Sequence, residues 1–218
     1  MAPRSLDDMR GDRGFTLDEV LPAFRDASAW YLSMFEAIDA AQWGGPGLGE
    51  WSVLELAAHA SRAYLTIERY LQPVGHIDCD SGAEYFRRAM QAADANEAIA
   101  ARGRDEVAEL GEDPLSAVRD RAASAIGVVE AAAPGAVCVT AVGTLSLGDY
   151  LGTRVVELTV HTLDIAAATR QQMVEPPESA ALVSLIVLTA MAAQPSSAVL
   201  LRALTGRAQL PRDFNVFP

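Results

Sequence analysis

Four ionisable residues, Arg154, Glu157, His161 and Asp164, are separated by three, four and three positions, the spacing that stacks side chains in one stripe along an α-helix. Val155, Val156, Leu158, Val160, Leu163 and Ile165 border the stripe on both sides. A helix so bordered is expected to be buried nearly all round, with its charged stripe pointing into the protein. Buried charges are costly unless they are paired or bound to a metal. Glu157 and His161, at i and i+4, offer a carboxylate oxygen and an imidazole nitrogen to a single cation. Asp164, one turn on, is placed to orient the histidine or to extend the polar network.

A second histidine, His59, sits in an equally apolar run, Leu54-Glu55-Leu56-Ala57-Ala58-His59-Ala60. Each feature alone has a plain reading: a surface helix with an Arg154–Glu157 pair and a Glu157–His161 hydrogen bond, and a core histidine satisfied by its neighbours. Together they also suit a chemical one. Helical bundles build metal sites from inward side chains on facing helices, and a histidine plus Glu-x-x-x-His supplies the His₂Glu set of a catalytic zinc site. Glu55, four residues before His59, is the alternative carboxylate, although it also suits a helix cap.

Other candidates are weaker. His76 lies after Pro73-Val74-Gly75 with Asp78, Cys79 and Asp80 nearby, and one histidine with one cysteine does not complete a coordination sphere, so a polar loop is expected there. Cys138 is expected to pack as a small hydrophobe. Trp30 and Trp43 are expected in the core and at the bundle end. No GxSxG, GxGxxG or CxxC occurs, so motif support for hydrolase, dinucleotide or thioredoxin chemistry is absent.

Composition narrows the classes further. All 17 basic residues are arginine. The absence of lysine excludes Schiff bases, Ser-Lys dyads and the phosphate-gripping lysine of nucleotide enzymes. A net charge of -12 without a basic cluster argues against nucleic-acid or anionic-membrane partners and for a small molecule. Two cysteines make no disulfide framework and the first residues lack an apolar signal core, so the cytoplasm is expected. Ser179 to Leu201 carries no charge, but Pro195 divides it and its apolar half is too short to span a bilayer.

Four Ser/Thr-x-x-Glu/Asp signatures, Thr16/Glu19, Ser52/Glu55, Ser81/Glu84 and Ser146/Asp149, mark helix starts. They predict helices from Thr16 to about Asp39, Ser52 to about Leu71 with Trp51 as a hydrophobic staple, Ser81 towards Arg102, and Asp149 to Thr169. Asp113-Pro114 opens another that ends before Pro134-Gly135. Ala136 to Val142 reads as a strand or extended connector. After Pro176-Pro177, two helices separated at Pro195 are expected, from Glu178 to Ala193 and from Ser197 to Thr205, with Gly206 as a stop. The fold class is thus mainly α: a disordered stretch over residues 1–14, a four-helix bundle over 15–172, and a small helical appendage over 173–218.

Pro46-Gly47-Leu48-Gly49-Glu50-Trp51-Ser52-Val53, then Leu56-Ala57-Ala58-His59, then Arg154-x-x-Glu157-x-x-x-His161-x-x-Asp164 resemble the mycothiol-dependent maleylpyruvate isomerase family within the DinB-like metal-binding bundles. Leu200 to Arg207 also resembles that family's C-terminal helix. The resemblance implies a divalent metal, usually zinc, on His59, Glu157 and His161, and mycothiol, the cysteine thiol of actinobacteria, as cofactor or co-substrate. It implies an enzyme, a thiol transferase or isomerase, acting on a small electrophile. Arg154 and Asp164 are then expected to support catalysis, and Arg62 to help hold the thiol. The competing expectation is a binding or stress-response bundle without turnover. Full isomerases of the family carry a larger α/β C-terminal domain, whereas 57 residues follow His161 here.

Overall fold

The computed structural model describes residues 14–91, 106–172 and 175–217. Helix α1 spans Leu17–Glu36, α2 Val53–Tyr70, α3 Gly82–Gln91, α4 Pro114–Glu130, α5 Leu147–Thr169 and α6 Glu178–Leu204. Three short strands, β1 Leu71–Gln72, β2 Val137–Thr140 and β3 Gly143–Ser146, form an antiparallel sheet in that order. Its register pairs Leu71 with Cys138 and Cys138 with Leu145. Residues 106–110 are also helical. The chain is mainly α, as its helix-start signatures indicate.

Each signature works as a cap. Thr16 and Ser52 form reciprocal capping boxes with Glu19 and Glu55. Ser81 accepts from the Glu84 amide at 3.2 Å, and Ser146 from the Asp149 amide at 3.0 Å. Asp113 caps α4 ahead of Pro114. These contacts satisfy amides that a helix start leaves without partners.

α1, α2, α4 and α5 pack mutually as the four-helix bundle, and α6 lies against α5, α1 and α3. Phe24, Tyr31, Phe35, Leu56, Tyr64, Ile67, Leu151, Leu158 and Ile165 fill the core. α5 is buried along most of its length, as its apolar borders require. Its N-terminal turn is tied to the chain ahead of α1: Phe15 donates its amide to Asp149 Oδ1 at 3.0 Å. A Cβ on Gly148 would stand 2.0 Å from the Phe15 carbonyl oxygen, so only glycine admits this approach.

Two expectations change. The C-terminal pair of helices is one continuous helix, α6. A proline removes one amide donor but keeps a helical φ, and Pro195 therefore does not end the helix. The helix ends at Leu204, and Gly206 just beyond it adopts φ +68°. α5 begins at Leu147 because Ser146 is the cap. The run at Ala136 to Val142, read as a strand or extended connector, contains the strand β2, which has partners on both sides. The extension of α3 towards Arg102 and residues 1–13 of the stretch expected to be disordered over 1–14 fall outside the described residues. Among the described residues no helix is long and apolar enough to cross a membrane.

Candidate metal centre

Two helices supply the group. The start of α2 is fixed by Ser52, whose hydroxyl accepts from the Glu55 amide at 3.2 Å, while the Glu55 carboxylate accepts from the Ser52 amide and hydroxyl at 2.7 Å each. Glu55 thereby serves the cap, and His59 follows two turns later on the face towards α5. One donor atom from each of His59, Glu157 and His161 lies within 4.8 Å of the other two, the one such group among the described residues that could hold a metal ion. Donors on a tetrahedral zinc stand roughly 3.4 Å apart, so small side-chain rotations close the set.

His161 is held from both sides. Its Nδ1 donates to Asp164 Oδ2 at 3.1 Å and its Nε2 lies 3.2 Å from Glu157 Oε2. Burial alone would push His161 down, yet its hydrogen bonds to Asp164 and Glu157 lift it to about 9. Burial alone would raise the Glu157 carboxyl, but the His161 hydrogen bond and the Arg154 charge outweigh it and hold the group at about 2. The proton between His161 and Glu157 is the one a divalent ion would displace. With that proton gone, the Nδ1–H bond to Asp164 fixes the tautomer that presents Nε2 as a donor.

His59 differs. Burial first, and His161 second, push it down to about 4, so it is a neutral imidazole at ordinary pH. Its Nδ1 is buried with no hydrogen-bond partner. Trp51 stacks on the ring instead, with centroids 4.5 Å apart at 36°, and the His161 ring meets it edge-on at 5.1 Å. A half-buried imidazole whose Nδ1 has no hydrogen-bond partner, beside a carboxylate and a second imidazole, fits a metal ligand, because coordination through Nδ1 would give that nitrogen a partner.

Trp51 reaches this position through the preceding loop. Gly47 donates to the Trp51 carbonyl at 2.7 Å, and a Cβ on Gly47 would lie 2.6 Å from the Ser52 carbonyl oxygen. The sequence marks Trp51 only as a staple, and its stacking on His59 escapes that pattern. Arg154, on the same stripe as Glu157, is buried. Its guanidinium lies over the Tyr150 ring at 4.7 Å and the Tyr85 ring at 5.8 Å. Tyr150 precedes it by one helical turn, a spacing that could have flagged the contact.

Arg62 is not brought into the group. It pairs with Glu106, which also binds Arg121 at 3.1 Å. His76 is exposed in its loop, where Asp78 accepts from the Thr144 amide at 2.9 Å and pairs with Arg88 at 3.4 Å. Cys79 and Cys138 are free and buried. Trp30 is in the core, and Trp43 packs on Phe35 at 4.9 Å.

Residues 24–166 match the family model of the mycothiol maleylpyruvate isomerase N-terminal domain. The chain belongs to that family. The matched span runs from within α1 to near the end of α5 and contains His59, Glu157, His161, Asp164 and Arg154. No curated protein and no solved structure matches the chain. The family's name points to an isomerase-type enzyme working with mycothiol, and the His₂Glu group lies inside the family's own domain.

Proposed function

We propose that this protein is a metal-dependent enzyme that uses a low-molecular-weight thiol, mycothiol, to add to or isomerise a small electrophilic substrate. The observation that carries the reading is the His59, Glu157, His161 group, three donors of the types a catalytic zinc site uses. His59, Glu157 and His161 would hold a divalent ion, which when bound would supply a Lewis acid favouring the thiolate form of the thiol, the form that attacks electron-poor carbon.

The chain's own residues do the positioning. Asp164 holds the His161 ring through Nδ1, which keeps Nε2 directed at the group. Trp51 covers one face of His59. Glu157 contributes one negative charge against the ion. Leu158 and Ile165 are fully buried beside the stripe, and apolar walls of this kind strengthen the electrostatics of a polar site.

The family's name directs the test to maleylpyruvate, with mycothiol as thiol. Zinc-loaded wild type is expected to consume thiol as an adduct, marking a transferase, or to convert substrate while returning the thiol, marking an isomerase. Glu157→Ala is expected to do neither. Zinc uptake without thiol binding would overturn the reading in favour of a binding bundle.

A further inference from the structure

α6 is apolar on two opposite faces. Ala180, Val183, Val187 and Met191 are buried against the bundle. On the far side Leu182, Leu185, Ile186, Leu201 and Leu204 remain 58%, 59%, 47%, 63% and 75% exposed among the described residues. Between Glu178 and Arg202 the helix carries no charged residue, so this outer face lacks the charges with which a surface helix meets water. A helix that is apolar all round is normally buried all round. α6 also lies beyond residues 24–166, the family's domain.

What covers the outer face is written in the order of its residues. Large side chains stand at both ends and small ones at the centre, and the order reads the same in either direction from Ala193. Leu182 and Leu204 lie eleven positions to either side of it, Leu185 and Leu201 eight, Ile186 and Leu200 seven, and Thr189 and Ser197 four. Residues 182, 186, 189, 193, 197, 200 and 204 form one helical stripe, with Leu185 and Leu201 on its flanks. Two antiparallel copies related by a two-fold axis at Ala193 therefore bring Leu182 of one level with Leu204 of the other, and Ile186 level with Leu200. A two-fold contact is self-complementary in this sense: residue i meets j, and j meets i.

The remaining chemistry agrees. The Thr189 hydroxyl already donates to the Leu185 carbonyl at 2.6 Å, so covering it leaves no donor unanswered. The exposed Glu175 and Glu178 at the start of one helix come to the exposed Arg207 beyond the end of the other. The five exposed side chains offer on the order of 500 Å² per chain, roughly 1,000 Å² for a pair before the small residues between them are counted, and a specific interface begins at about that size.

We propose that the outer face of α6 is the contact of a homodimer, two copies of this chain packed antiparallel about Ala193. A net charge of -12 per chain opposes close approach elsewhere, and the charge-free stripe is where the copies meet. The dimer does not rest on the metal reading, since none of His59, Glu157 and His161 is on α6.

Sedimentation equilibrium of the full chain over a dilution series tests it. Wild type is expected to form a reversible dimer of twice the 23.1 kDa chain mass. Ala193→Glu sets two like charges on the axis and is expected to weaken the dimer at least about 100-fold, with helical circular dichroism unchanged because Ala193 is exposed. Under air oxidation Ala193→Cys is expected to link two copies by a disulfide. Leu185→Cys is not, because its two copies stand about 24 Å apart along the helices. Cys79 and Cys138 are buried and do not compete. A wild type that stays monomeric, a dimer undiminished in Ala193→Glu, or failure of Ala193→Cys to crosslink would overturn the proposal. So would a monomer that sediments with phosphatidylcholine vesicles, which would give the face to a lipid surface.

Discussion

Two buried polar clusters on α2 lie three residues apart in sequence, and they are built on opposite plans. Around Arg62, every charge is answered: Glu106 pairs with Arg62 and with Arg121, Arg121 also reaches Glu109 at 3.4 Å, and Ser61 accepts from Arg121 at 3.2 Å. Around His59 the polar groups are only partly answered. His59 Nδ1 has no hydrogen-bond partner, and Arg154 lies against the Tyr150 and Tyr85 rings with the Glu157 charge acting on it. A closed ion network holds helices together, whereas buried donors and acceptors without partners call for an explanation, such as an ion that completes them. The first cluster belongs to the fold, and the second is where the proposed chemistry is placed.

The contrast predicts a double dissociation. Glu106→Ala leaves the part-buried Arg62 without its carboxylate and Arg121 with Glu109 alone, and is expected to cost about 3 kcal/mol in urea unfolding, with zinc uptake per folded molecule unchanged. His59→Ala in metal-stripped protein is expected to cost far less, because the ring it removes satisfies no hydrogen bond through Nδ1. Equal losses from both substitutions would erase the distinction.

The next effect is in pH. In metal-stripped protein His161 is lifted from 6.5 to about 9. Its contribution to stability is full below pH 6.5 and fades as the pH rises towards 9. His59 is lowered from 6.5 to about 4. Its contribution is present above pH 6.5 and is lost as the pH falls towards 4. Glu157, lowered from 4.5 to about 2, adds a contribution lost only below pH 4.5. Stability of the stripped protein is therefore expected to peak near pH 6.5, and His161→Ala is expected to flatten the alkaline limb. An alkaline limb unchanged in that variant would show that the raised histidine is not the cause.

Smaller effects sharpen the difference between the two histidines. His161 is oriented by a carboxylate, so Asp164→Asn is expected to lower zinc affinity about 10–100-fold, the usual loss for such a partner. His59 is oriented by stacking, so Trp51→Leu is expected to lower it by roughly 2–10-fold, the worth of one aromatic pair, and Trp51→Phe by less. Competition with a zinc indicator dye reads both. A larger loss in Trp51→Leu than in Asp164→Asn would reverse the assignment of the stronger support.

Most of the fold was legible because caps and apolar periodicity are local. Thr16, Ser52, Asp113 and Ser146 each start the helix their spacing announces, and the 154, 157, 161, 164 stripe lies along α5 as one face. What escaped was non-local. β1 depends on pairing with β2 across the chain, and the Glu106 cluster joins residues far apart in sequence. Arg62 looked available because its partner lies 44 positions away. Pro195 misled for the opposite reason, since a local breaker was overridden by a helix that continues on both sides of it. Within the candidate site, the His59, Glu157 and His161 set was readable from type and spacing, but its asymmetry was not: Trp51 on one histidine and Asp164 on the other emerge only once α2 and α5 face each other.

The central claim is that the His59 cluster is completed by a metal. Titrating metal-stripped wild type with zinc in a calorimeter, in two buffers of different ionisation enthalpy, tests it most directly. The account predicts saturation at one ion per chain with release of a proton, and loss of that saturation in His59→Ala, Glu157→Ala and His161→Ala. No saturable uptake by wild type, or uptake undiminished in His161→Ala, would contradict it.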